Sequence, residues 1–249
     1  MNVPVQDDWR YAKIQDTWHF TTGLGLSYRP TYLGASSSEL RASPVLSATY
    51  GRYFLGGAGG TGSGGGLGLY LVTDERLRVG LSLGLGSSAR KQSQDAHLYG
   101  LGDVASTQRG NIFASYKMDW LTARTNLSTD IGGKGEGSTV SFDLDARYRL
   151  DEKISLSAGT GLTWANVQNA QTFFGVSASQ SANSGLARYS ANSGVNQFRF
   201  SIGADYRLTP QWNLSSRLTS TTLTGSAAGS PITQSKSQDS FSVSAAYRF

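Results

Sequence analysis

From Val140 to Leu150 apolar and polar side chains alternate without a break. Val140, Phe142, Leu144, Ala146, Tyr148 and Leu150 fall on one side of a period of two, with Ser141, Asp143, Asp145, Arg147 and Arg149 on the other. A helix would scatter these residues around its circumference, whereas a strand sorts them onto two faces. Phe198, Phe200, Ile202, Ala204, Tyr206 and Leu208 repeat the pattern against Arg199, Ser201, Gly203, Asp205 and Arg207, and Phe241, Val243, Ala245, Tyr247 and Phe249 carry it to the last residue. Leu77 to Leu85 and Ile154 to Trp164 follow the same rule. Weaker strands run through Trp18 to Tyr28, Ile112 to Met118, Leu121 to Ile131 and Trp212 to Leu218, and none of the apolar faces carries a charge.

The links between these strands alternate in length. Tight ones at Gly51-Arg52, Thr73 to Arg76, Asp119-Trp120, Asp151 to Lys153 and Thr209 to Gln211 contrast with long ones at residues 30–40, 87–104, 166–196 and 225–237. Short turns at one end and longer loops at the other are the pattern of an outer-membrane barrel. The count is about 12 strands if Gly56 to Gly66 makes one more reversal and about 10 if that stretch is a bulged strand. Parity favours 12, because Tyr50 and Thr73 must both lie at the short-turn end.

Which way the faces point depends on the solvent. A soluble sandwich would turn the apolar face inward, while a barrel in lipid turns it outward and must close, since hydrocarbon cannot satisfy an open sheet edge. Tyr116, Tyr148, Tyr206, Trp212, Tyr247 and Phe249 all lie within a few residues of short turns. That is where an interfacial aromatic girdle belongs. The expected fold is therefore an all-β, antiparallel, up-and-down transmembrane barrel over residues 17–249. Residues 1–16 precede it as a periplasmic segment or a plug.

Composition narrows the remaining options. No apolar run approaches the roughly 18 residues of a spanning helix, and the mean hydropathy of −0.29 agrees. The absence of cysteine removes thiolate chemistry, and the two histidines, His19 and His97, leave little for an imidazole cage. No cofactor is expected. The net charge of +5 comes from scattered Lys and Arg, not from the clustered basic and aromatic surface that nucleic acid requires. Met1 to Gln6 lacks the basic and apolar regions of a signal peptide, so the chain reads either as cytosolic or as a mature form whose signal is gone.

Several short stretches carry a family resemblance: Tyr28 to Gly34 (YRPTYLG), Tyr53 to Gly57 (YFLGG), Gly100 to Val104 (GLGDV), Thr172 to Ser177 (TFFGVS) followed by Ser184-Gly185-Leu186 and Tyr189, Ser230-Pro231-Ile232, and the closing Tyr247-Arg248-Phe249. Together they resemble the MipA/OmpV family of outer-membrane proteins across most of the chain. The resemblance implies an exported, mature bacterial barrel in contact with lipid and lipopolysaccharide. It also implies a non-enzymatic scaffold that binds a lytic transglycosylase and a bifunctional murein synthase. Other members resemble adhesins or are linked to responses to cationic antibiotics. The terminal Tyr247 and Phe249 fit the signal read by the barrel-assembly machinery.

Motifs that suggest chemistry have simpler readings. Gly59 to Gly66 looks like a phosphate cradle but lacks the following Lys-Ser/Thr and a helix, so a flexible turn is expected. Asp95-Ala96-His97 has no second acidic pair near it and reads as a solvated loop.

The polar strand faces are richer. Arg124, Asp130, Asp143, Asp145, Arg147, Arg149, Arg199, Asp205, Arg207 and Arg217 are expected to line the lumen as cross-strand ion pairs. The inner faces near 77–86, 154–165 and 240–249 are mostly Ser and Gly, which leaves room for a passage or a ligand niche. A basic inner wall favours anions. Loop 166–196 is too long for a structureless link. Its Phe173, Phe174, Leu186 and Tyr189 are expected either to pack into the mouth as a lid or to form a binding surface. Trp9, Tyr11 and Ile14, among Asp7, Asp8, Arg10 and Lys13, are candidates for periplasmic docking. Three functions follow: a murein-enzyme scaffold, a small porin, and a surface adhesin or sensor of cationic peptides.

Overall fold

In a computed structural model, which describes residues 16–56, 66–84 and 90–249, the alternating segments form one closed antiparallel sheet. Its strands are β1 (Trp18–Pro30), β2 (Ser38–Tyr50), β3 (Tyr53–Gly56), β4 (Gly66–Thr73), β5 (Leu77–Gly84), β6 (Arg109–Met118), β7 (Leu121–Asp130), β8 (Ser138–Arg149), β9 (Ile154–Ala165), β10 (Gly194–Arg207), β11 (Trp212–Leu223) and β12 (Ser237–Arg248). Each strand pairs with its sequence neighbours, and β12 closes on β1 from Thr21↔Arg248 to Tyr28↔Phe241. The count is thus 12, with a reversal between β3 and β4. A strand of about 12 residues, rising about 3.3 Å per residue and tilted about 45°, crosses about 28 Å, close to the thickness of a hydrocarbon core.

Burial confirms which face is which. Mid-strand Leu24, Leu46, Leu81, Ile112, Phe142, Phe200, Leu218 and Phe241 are all exposed on the outer surface. Their apolar area is tolerated there only in contact with lipid. At the short-turn end the aromatics stack along the outer rim. Trp18 lies 5.0 Å from Tyr50, Trp212 lies 5.2 Å from Tyr247, and Tyr247 lies 4.9 Å from Phe249 between ring centroids.

The short turns are built by local polar chemistry. Gly51 (φ 53°) and Asp119 (φ 47°) supply the left-handed backbone that two-residue hairpins need. In the longer turns a side-chain oxygen ties down the amides that follow. Asp74 Oδ1 accepts from Arg76 N at 3.0 Å, and Thr209 Oγ1 accepts from Trp212 N at 3.0 Å. Asp151 Oδ1 accepts from Lys153 N and Ile154 N, both at 2.7 Å. Those amide bonds hold the Asp151 carboxyl below its ordinary range.

The long connections fold into a cap. Three short helices, α1 (Val167–Phe174), α2 (Ala178–Ser184) and α3 (Gly225–Gly229), sit over the mouth. One apolar cluster joins Tyr32, Leu98, Leu101, Val176 and Ile232 from four loops, with Leu186 and Tyr189 against it. A second joins Ala170, Phe174, Ala191, Leu223 and Ala227. A further long link, residues 131–137, escaped the period reading because its glycines carry no pattern.

Candidate functional site

The inner faces of the strands and the underside of the cap enclose a cavity of about 1330 Å³. Its charged wall follows from register. Asp143, Gly161 and Arg199 sit opposite one another on β8, β9 and β10. The central glycine leaves the two charged side chains free to meet over it. Arg199 Nη2 donates to Asp143 Oδ1 at 2.6 Å, and its Nη1 donates to Thr163 Oγ1 at 2.7 Å. Arg124 of β7 grips Asp145 diagonally on the adjacent β8. Arg147 reaches Asp205 across β9, with Nη2 2.5 Å from Oδ2.

The expected empty Ser/Gly wall is therefore corrected on two strands. A Cβ at Gly161 would lie 2.1 Å from Asp143 Oδ1, and one at Gly159 would lie 2.7 Å from Asp145 Oδ1. These glycines seat the carboxylates and do not leave space. On β5 the slot is filled by a ring instead: a Cβ at Gly80 would lie 2.4 Å from Phe113 Cζ.

That ring belongs to a feature the sequence reading missed. Phe54, Tyr70 and Phe113 are buried together on the inner face of β3, β4 and β6. Their centroids lie 4.9 to 5.9 Å apart, in tilted and edge-on arrangements. The Arg78 guanidinium sits 5.3 Å from the Tyr70 ring centroid, within cation–π range. Gly68 accommodates the Phe54 ring, since a Cβ there would lie 2.0 Å from Phe54 Cζ. The apolar face of most strands is lipid-facing, so aromatics that alternate with glycine on the opposite face are the signal that would have located this cluster.

At the cap end of the cavity, side chains from strand ends, loops and α1 lock the cap to the wall. Arg109 donates to Ser128 Oγ at 2.8 Å, to the Ser128 carbonyl at 2.9 Å and to Glu136 Oε2 at 3.1 Å. Glu136 is 1% exposed. Asn169 Nδ2 donates to the Glu136 carbonyl at 2.6 Å, which holds α1 against loop 131–137. Gln238 bridges to loop 31–37, donating from Nε2 to the Ala35 carbonyl at 2.7 Å and accepting the Gly34 amide at 2.8 Å. Arg90 donates from Nη1 to the Phe173 carbonyl at 2.6 Å, while its Nε and Nη2 have no hydrogen-bond partner among the described residues. Burial lowers its pKa, and burial with nearby Asp95 raises that of Tyr32 beside it.

Of the ten charges expected in the lumen, Arg124, Asp143, Asp145, Arg199 and Arg217 line the cavity. Arg147 and Asp205 pair with each other outside its lining. Three stand elsewhere. Asp130 accepts from Thr107 Oγ1 at 2.6 Å and from the Glu136 amide at 3.0 Å, so it organises the outer loop. Arg149 bonds the Asp151 carbonyl at 3.0 Å at the short-turn rim, and Arg207 is exposed at the end of β10.

The four aromatic and apolar loop residues come together in the cap: Phe174 is 1% exposed, Phe173 and Tyr189 pack on its cluster, and Leu186 packs on the neighbouring one. Asp95 accepts the His97 backbone amide at 2.9 Å, and the His97 ring meets the Pro231 carbonyl at 2.9 Å. Neither contact is an acid–imidazole pair. Trp9, Tyr11, Ile14 and the run from Gly59 to Gly65 lie outside the described residues.

A closed, lipid-facing twelve-stranded barrel with a polar interior and a folded loop end is an outer-membrane β-barrel. Residues 22–249 match the family described as MltA-interacting protein MipA. The chain belongs to that family. It is 24% identical over 160 residues to the MltA-interacting protein of Escherichia coli (strain K12), and equally so to that of Shigella flexneri. Each alignment covers 64% of this chain and 63% of the relative's length. Among solved structures, a NanC porin is 11% identical with a TM-score of 0.48, covering 91% of this chain and 98% of that one. An OmpT of Vibrio cholerae is 8% identical with a TM-score of 0.39, covering 94% and 98%.

Proposed function

We propose that this chain is a non-enzymatic scaffold of the outer membrane that holds a murein-cleaving transglycosylase, and through it a murein synthase, at its periplasmic rim. The observation that carries the reading is the family match, which runs through all twelve strands and includes relatives named for interaction with MltA. The geometry is compatible with it. The folded cap occupies the long-loop end, leaving the short turns for a periplasmic enzyme. Trp120 stands exposed in the turn between β6 and β7, with Glu75 and Arg76 exposed in the turn between β4 and β5. Residues 1–16 are the second candidate for that contact.

Affinity capture with the lytic transglycosylase tests the scaffold. The full chain should retain it, and W120A combined with R76E, or removal of residues 1–16, should weaken retention. Deleting α2 at the opposite end should not. If rim and leading-segment variants bind undiminished while the α2 deletion does not bind, the reading fails.

The cavity favours a second reading, passage of small polar solutes. Stepwise conductance in planar bilayers is its expected signature, and a bare-membrane baseline at all voltages removes it.

A further inference from the structure

The described lining of the lumen holds more positive charge than its own carboxylates neutralise. Among the described residues, nine Arg and Lys side chains border the cavity against three carboxylates, Glu136, Asp143 and Asp145. Those three are already held by Arg109, Arg199 and Arg124, and Arg41 has Glu39. Arg29, Arg90, Lys91 and Arg217 have no carboxylate within ion-pair distance among the described residues. Arg217 donates only to a hydroxyl, Ser201 Oγ, at 3.1 Å. Arg90 is 5% exposed, and two of its three nitrogens, themselves shielded from solvent, have no hydrogen-bond partner among the described residues. A buried guanidinium with most of its donors unused is costly unless a counter-charge satisfies it. Low-dielectric walls strengthen the attraction of such a site for anions.

We infer that the lumen is a binding chamber for a hydroxyl-bearing organic anion, gripped by Arg217 on the β11 wall and attracted by the charge of Arg90, whose buried guanidinium lies under the cap. The acidic group answers the guanidinium fork, which pairs bidentately with carboxylate or phosphate. Thr219, Thr221 and Ser240, which line the same cavity, answer the solute's hydroxyls. The volume of about 1330 Å³ exceeds the roughly 300–1,000 Å³ typical of a site for one drug-sized molecule. It therefore admits a solute of disaccharide size with its water. The inference shares its cavity with the passage reading but does not need conduction. A chamber that binds and does not conduct removes only passage, and one that conducts without binding anions removes only this inference.

Titration calorimetry on the full chain folded in detergent tests it, with digalacturonate and glucose 1-phosphate as anionic probes and lactose as the neutral one. At least one anion should bind saturably and lactose should not, and raising the salt to about 0.5 M should weaken the binding. R217Q should weaken it about tenfold, the loss expected from one charged hydrogen-bonding partner. R90Q should do the same, while R188Q, on the exposed cap surface, should not. R217Q alters a single strand residue and should keep heat-modifiable mobility, so the test stands even if R90Q does not fold. The anion that binds separates carboxylate from phosphate recognition. Equal binding of lactose, no binding of either anion, or unchanged affinity in both R217Q and R90Q overturns the inference.

Discussion

The Arg109–Glu136 pair offers a prediction whose sign depends on context. Glu136 is 1% exposed and the Arg109 side chain 9%, so both charges are withdrawn from water. Arg109 also donates to the side chain and the carbonyl of Ser128. R109M removes these bonds together and leaves the Glu136 carboxylate without that counter-charge, which costs about 3–5 kcal/mol. E136Q keeps an acceptor for Arg109, and the guanidinium keeps its Ser128 bonds, so this change costs about 1–2 kcal/mol. Once R109M is already in place the order reverses, because a neutral amide is then the better buried group. R109M/E136Q should therefore be more stable than R109M alone by about 1 kcal/mol or more. Urea unfolding of the four proteins in lipid vesicles, followed by tryptophan fluorescence, measures all the terms. If the two changes are additive within about 0.3–0.5 kcal/mol, the two side chains do not form a coupled pair.

Three further outcomes follow from packing. G68A places a methyl group into the Phe54 ring, since its Cβ would lie 2.0 Å from Phe54 Cζ; it should lower stability by about 1–3 kcal/mol, and F54L in the same chain should recover part of that in the urea midpoint. F174A empties a fully buried site in the cap, a loss of about 3–5 kcal/mol; trypsin should then cut after the exposed Arg188 much faster while the barrel keeps its heat-modifiable mobility. Deleting Phe249 removes a ring packed on Tyr247 and an amide that donates to the Phe20 carbonyl at 3.0 Å; the fraction of newly made chain that reaches the heat-modifiable form should fall.

The wall of the barrel was legible because lipid imposes a simple rule. Residues 140–150 and 198–208 must show an apolar side chain at every second position, and nothing in the interior disturbs that. The same rule hid the interior. Phe54, Tyr70 and Phe113 are apolar residues on the polar side, and only the facing Gly68 and Gly80 mark them. Gly159 and Gly161 were legible as small but not as seats for Asp145 and Asp143, because that depends on strand register. Glu136 lies in a glycine-rich link that reads as solvated, and its burial comes from α1 and Arg109, distant in sequence. Phe174 stood out as a lid candidate because a large aromatic in a long loop needs a partner. The helix that carries it, capped by Asn166, and the next one, capped by Ser177, are short, with too few turns to show a period.

The central claim is that apolar side chains of a closed sheet face lipid while the alternate residues face an aqueous interior. The chain has no cysteine, so single cysteines at successive positions from 140 to 148 can each carry a spin label without interference. In reconstituted bilayers, labels at 140, 142, 144, 146 and 148 should be relaxed by dissolved oxygen. Labels at 141, 143, 145 and 147 should respond to a water-soluble nickel complex. Accessibility that is uniform along the strand, or that varies with a period near 3.6, would contradict the barrel.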